Sequence, residues 1–92
     1  MTTQELQREL RIVNEKGLHA RASARFVKVT QQFEAVIAVA KDGNAVSGDS
    51  ILGLMTLGAS MGTSISVIAS GPQAEAALAA LTELVENGFD EE

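Results

Sequence analysis

The chain has no cysteine, no tryptophan, no tyrosine, one proline and one histidine. Without cysteine there is no disulfide, no thiolate metal site and no cysteine nucleophile, as expected of a protein kept in a reducing cytoplasm. The single histidine, His19, has no carboxylate cluster near it in sequence, so neither a metal nor another cofactor is expected. Three Phe are the only aromatic residues, which leaves Val, Ile, Leu and Ala to fill most of the core. Met1-Thr2-Thr3-Gln4-Glu5 holds neither a basic leader nor an apolar run, so no signal peptide is expected. No apolar stretch approaches the roughly 20 residues of a membrane span, and the expected compartment is therefore the cytoplasm. Positive charge is scarce, seven Lys and Arg against twelve Asp and Glu, and the net charge of −5 argues against general nucleic-acid binding.

What is present suits one domain over residues 1–92, with 46% hydrophobic and 21% charged residues. The charge is unevenly placed. Residues 1–41 carry all seven bases and four acids, a net +3, whereas residues 42–92 carry eight acids and no base, a net −8. An acidic surface on a partner would therefore meet the first part of the chain more readily than the second.

Leu6, Leu10 and Ile12 alternate with polar residues and predict a first strand. Asn14-Glu15-Lys16-Gly17 predicts a turn. From Ala20 to Gln31 the residues Ala20, Ala24 and Val27, widened by Phe26 and Val29, predict an amphipathic helix. Phe33 to Ala40 reads as a buried strand, and Asp42-Gly43-Asn44 as a tight turn into a short strand through Ala45-Val46-Ser47. Gly48-Asp49-Ser50 opens a short helix carrying Ile51, Leu52, Leu54 and Met55, which Gly58 ends. Thr63 to Ser70 alternates cleanly as a strand. Pro72 is placed to open a last helix with Ala74, Ala77, Leu78, Leu81 and Val85 on one face and Gly88 as its stop. The order β-α-β-β-α-β-α predicts an α+β open-faced β-sandwich: a four-stranded, mainly antiparallel sheet with three helices on one face.

Gly17-Leu18-His19-Ala20-Arg21 runs from a turn into a helix. A neutral imidazole is a nucleophile at cellular pH. The first amides of a helix lack internal partners and can seat a phosphoryl group. Arg21 adds a planar fork of donors matched to phosphate oxygens, and Gly17 allows close backbone approach. The plainer alternative is a capping histidine beside a solvated arginine.

These residues resemble the active-site signature of the HPr family, phosphocarriers of the bacterial phosphotransferase system, which usually reads Gly-Leu-His-x-Arg-Pro-Ala. Ser50-Ile51-Leu52-Gly53-Leu54-Met55-Thr56-Leu57-Gly58 resembles the family's second motif, and the likeness covers nearly the whole chain. The resemblance implies that His19 is phosphorylated on Nδ1 and that Arg21 stabilises the phosphate. It further implies that enzyme I, charged by phosphoenolpyruvate, is the donor and an enzyme IIA-type protein the acceptor. The chain would then be a substrate of those enzymes and not an enzyme itself. Leu18, Ile51, Leu52 and Met55 are the expected docking residues, with Arg25 and Lys28 as electrostatic helpers. In relatives the serine matching Ser50 is modified by HPr kinase/phosphorylase; the alternative is a helix cap alone. The family's proline is Ala22 here and its alanine is Ser23, a change expected to loosen the helix start without losing the site. The tail Asn87-Gly88-Phe89-Asp90-Glu91-Glu92 is similar to that of the nitrogen-related branch.

Other readings give different expectations. An acyl-carrier-like protein would use Ser50 of Asp49-Ser50-Ile51 but resembles an all-helical bundle. A hydrolase using Gly48-Asp49-Ser50 would need a supported catalytic base on a much longer chain. A regulatory binding module of the same fold would have no use for His19 and Arg21.

Overall fold

The computed structural model describes residues 5–91. Along them run β1 (Leu6–Arg11), α1 (Ala20–Thr30), β2 (Val36–Lys41), β3 (Asn44–Ser47), α2 (Ile51–Thr56), β4 (Ser64–Ser70) and α3 (Ala74–Glu86), followed by a short helical turn, Gly88–Asp90. The strands form one sheet in the order β1-β4-β2-β3, every neighbouring pair antiparallel. This is the open-faced α+β sandwich that the alternation of patterns predicts.

The alternation that defines the strands also defines the core. Leu10, Ile37, Val39, Ile65, Val67 and Ala69 point from the sheet into the helix layer and are at most 5% exposed. They meet Ala22 and Phe26 of α1, Leu54 of α2, and Ala77, Leu81 and Val85 of α3, in one contiguous cluster. On the opposite face Gln7, Glu9 and Arg11 are exposed, so that side carries no helix and needs no apolar cover. The β2–β3 hairpin closes with Asp42-Gly43 between the paired Lys41 and Asn44. Both loop residues have positive φ (52° and 83°), which is the type I′ turn whose twist suits a two-residue hairpin.

Three local expectations shift. β2 begins at Val36 rather than Phe33, because Phe33–Ala35 is committed elsewhere. The Phe33 amide closes onto the Thr30 carbonyl (3.2 Å), and the backbone of Glu34 pairs with Gln73, accepting from its N–H (2.9 Å) and donating to its side chain (2.6 Å). Pro72 lies in the turn before α3, which starts at Ala74 with Gln73 as its cap. In α1 the buried face is Ala22, Ser23, Phe26, Val27 and Thr30, while Ala20 and Ala24 face solvent. The small hydroxyls are buried with partners: Ser23 Oγ donates to the Leu18 carbonyl (3.3 Å), and Thr30 Oγ1 lies 2.7 Å from both the Val27 carbonyl and an Asp49 carboxylate oxygen.

Candidate functional site around His19

The turn before α1 is built around Gly17. Its φ of +65° and its burial against the loop after α2 both require the absence of a side chain: a Cβ would press into the Ala59 carbonyl oxygen and come within 2.9 Å of Ser60 Cα. The Gly17 amide donates to the Asn14 carbonyl (3.2 Å) and the Leu18 amide to the Ala59 carbonyl (2.9 Å), so the turn is stitched to that loop. Leu18 then drives its side chain into the core at 5% exposure. It is therefore an anchor and not a docking residue, a correction to the expectation from sequence.

With Leu18 fixed, His19 emerges as the N-cap of α1 in an extended conformation, its carbonyl accepting from Ser23 N–H (2.8 Å). Its side chain is 27% exposed. Nδ1 accepts only the long 3.3 Å contact from Arg21 N–H, which leaves it facing the start of the helix. Nε2 contacts a carboxylate oxygen of Glu91. The other Glu91 oxygen accepts from Asn14 Nδ2 (2.9 Å), and the same nitrogen donates to the Gly17 carbonyl (2.7 Å). Hydrogen bonds from His19 and then Asn14 hold the Glu91 carboxyl below the usual carboxylate range against the opposing cost of desolvation, with lesser attraction from the His19 and Lys16 charges. A carboxylate held low in the folded state stabilises at pH values above its ordinary titration. The contact of Glu91 with His19 is therefore expected to persist at neutral pH and to weaken as pH falls through the lowered value, read as loss of protection of the Glu91 amide relative to its intrinsic exchange rate.

Arg21 is exposed on the rim of the same open depression, and its guanidinium has no hydrogen-bond or ion-pair partner among the described residues. Arg25 is half-buried there, its guanidinium donating to the Phe89 carbonyl, and Lys28 is exposed one turn further on. Ala22, in the family's proline position, is fully buried, and α1 still begins at Ala20 with its cap in place. Alanine fills the space and keeps the helix start.

Ser50 caps α2: its Oγ accepts from Gly53 N–H at 2.9 Å. It does not line the depression beside His19. Ser50→Ala is expected to cost about 1 kcal/mol in thermal unfolding, while Ser50→Asp, an equally good cap, holds stability near wild type. On α2 the side chains of Ile51, Leu52 and Met55 are 40%, 76% and 41% exposed, and Met61 just beyond is 56% exposed. Ile51, Leu52 and Met55 expose apolar surface on the element whose following loop touches the Gly17 turn. Sequence reasoning missed Met61, Asn14 and Glu91. Of these only Met61, a large apolar residue in a glycine-flanked loop, carried any signal of exposure.

Residues 6–87 match the family described as "PTS HPr component phosphorylation site". The chain belongs to the HPr family. It is 41% identical over 87 residues to phosphocarrier protein HPr of Xylella fastidiosa, covering 95% of this chain and 98% of that one. It is 38% identical over 86 residues to phosphocarrier protein NPr of Shewanella violacea, covering 94% of each. The crystal structure of HPr-C-His from Thermoanaerobacter tengcongensis superposes with a TM-score of 0.89 at 40% identity, over 95% of this chain and 98% of that one. Like other HPr-family members, the chain is a phosphoryl carrier of the phosphotransferase system, not a catalyst. An HPr sheet of four strands also leaves nothing of the all-helical acyl-carrier likeness. No helix among the described residues is long and apolar enough to cross a membrane.

Proposed function

We propose that His19 takes a phosphoryl group on Nδ1 from phosphoenolpyruvate-charged enzyme I and passes it to an enzyme IIA-type acceptor. One observation supports this reading above the rest: Nδ1 stands at the N-terminus of α1 with a single long contact, in a depression also lined by Arg21, whose guanidinium has no partner among the described residues. The Nδ1 lone pair attacks phosphorus as the donor's bond to phosphorus breaks. The phosphoryl oxygens then lie against the partial positive charge of the helix start and the Arg21 fork. The ring, carrying its proton on Nε2, becomes cationic. On onward transfer the Nδ1–P electron pair returns to the ring and neutral imidazole leaves.

Ile51, Leu52 and Met55 supply the apolar contact to both partners, with Lys28 and the anchored Arg25 attracting acidic surfaces. Binding is weak and brief, since one small patch serves successive partners. Ser50 is a regulatory site for HPr kinase/phosphorylase. A phosphate there adds roughly 1.5–2 negative charges at a helix start that tolerates them, next to a patch that an acidic partner must approach.

Incubation with phosphoenolpyruvate and enzyme I, followed by intact-mass analysis, tests the reading. The expected result is a gain of one phosphate that is lost on acid treatment. No gain, with an enzyme I shown active on another carrier, overturns it.

A further inference from the structure

Ser23, the fourth residue of α1, is fully buried, although alanine is the better helix former. A buried hydroxyl needs a partner, and in a helix the usual one is the carbonyl four residues back. That carbonyl belongs to His19 and is already taken by the N–H of Ser23 itself (2.8 Å). The hydroxyl reaches one residue further and donates to the Leu18 carbonyl (3.3 Å). One residue therefore holds two successive carbonyls.

Those two carbonyls bracket His19. Each belongs to a rigid peptide plane, and the two planes meet at the His19 Cα. Fixing both fixes φ and ψ of His19, here −80° and −175°, and with them the direction in which the imidazole leaves the backbone. Other devices for fixing a helix start are missing. Ala22, the third helical residue, offers neither a capping carboxylate nor a proline ring, and the first turn holds no acid. The bond from Leu18 N–H to the Ala59 carbonyl (2.9 Å) secures only the plane before these two. Among the described residues, the Ser23 hydroxyl makes the one hydrogen bond to the Leu18–His19 peptide.

We propose that Ser23 is a positioning residue for His19, whose hydroxyl fixes the Leu18–His19 peptide and so aims Nδ1 across the start of α1. This rests on the carrier reading above, in which the phosphoryl group arrives there. Ser23 touches neither the ring nor phosphorus and exchanges no proton in the transfer. Its effect is on alignment: a nucleophile whose backbone tilts reacts only during the fraction of time in which it points at phosphorus.

Two substitutions separate positioning from stability. Ser23→Ala removes the donor but improves helix propensity, so its Tm should stay within a few degrees of wild type. Its maximal rate of phosphorylation by enzyme I should nevertheless fall about tenfold, with the half-saturating concentration of the carrier unchanged. Ser23→Thr keeps the hydroxyl and adds a methyl group to a filled site, so its Tm should fall by roughly 4–20 °C. Its rate, measured at a temperature where all three proteins are folded, should match wild type. NMR of the unphosphorylated proteins reads the alignment directly. In Ser23→Ala the Leu18 carbonyl carbon should shift upfield, and the His19 backbone order parameter should drop from about 0.85 to about 0.6. A rate that follows Tm across the three proteins overturns the proposal, as does an unchanged His19 order parameter in Ser23→Ala. Absence of phosphorylation in wild type overturns the carrier reading instead, and the Leu18 and His19 resonances still decide what Ser23 holds.

Discussion

Replacing His19 with Ala is expected to abolish acid-labile phosphorylation while lowering the stability of the fold only modestly. The loss should be complete, because no other imidazole exists in the chain to take the phosphoryl group. The small structural cost follows from what the side chain does when unphosphorylated. It accepts one long hydrogen bond from Arg21 N–H and meets Glu91 at a partly exposed site. The cap is worth about 1 kcal/mol, and the solvent-screened contact with Glu91 adds little. For a domain of this size that is a fall in Tm of roughly 4–8 °C, measurable by calorimetry. Acid-labile phosphate surviving in the variant would place the acceptor elsewhere. An acid-stable gain would point to a hydroxyl such as that of Ser50.

Gly17→Ala should do the reverse, injuring the fold first and the chemistry as a result. Alanine at φ +65° is strained by roughly 1–2 kcal/mol, and its methyl group would have to displace the Ala59 carbonyl and Ser60 Cα. Overpacking against backbone, which has little freedom to move, adds about 1–3 kcal/mol. The sum, about 2–5 kcal/mol, predicts a fall in Tm on the order of 10–30 °C. Relief of the clash requires the turn to move away from the loop after α2, breaking the bond from Leu18 N–H to the Ala59 carbonyl. That bond fixes Leu18, and Leu18 fixes the exit of His19. Phosphorylation of whatever remains folded should therefore slow as well. A variant with unchanged Tm would mean that the turn is not held as described.

The strands were legible because their signal is strong: β4 alternates Ile65, Val67 and Ala69 against serines, and the apolar set is the buried set. The Asp42-Gly43 turn was legible because positive φ is chemically selective. The face of α1 was not. Alanine is as content outside as inside, so Ala20 and Ala24 carried no directional information, and Ser23 was buried by a hydrogen bond to a carbonyl that only the fold supplies. The helix starts at His19 and Ser50 were legible, since a cap announces itself locally. Leu18 was misread because an apolar residue beside an exposed histidine can turn either way, and the Gly17 turn decides which. Asn14 and Glu91 were invisible. They lie 77 positions apart, and what joins them is a left-handed turn at Phe89 that no propensity favours.

One spectrum bears on the whole picture. The protein labelled with nitrogen-15 in its histidine is phosphorylated by enzyme I, and one-bond coupling between phosphorus and ring nitrogen is recorded. Coupling to Nδ1 of His19 is the expected result, with Nε2 still bearing its proton. Coupling to Nε2, the nitrogen engaged by Glu91, would show that the ring is used the other way round and that the tail must leave for transfer to occur.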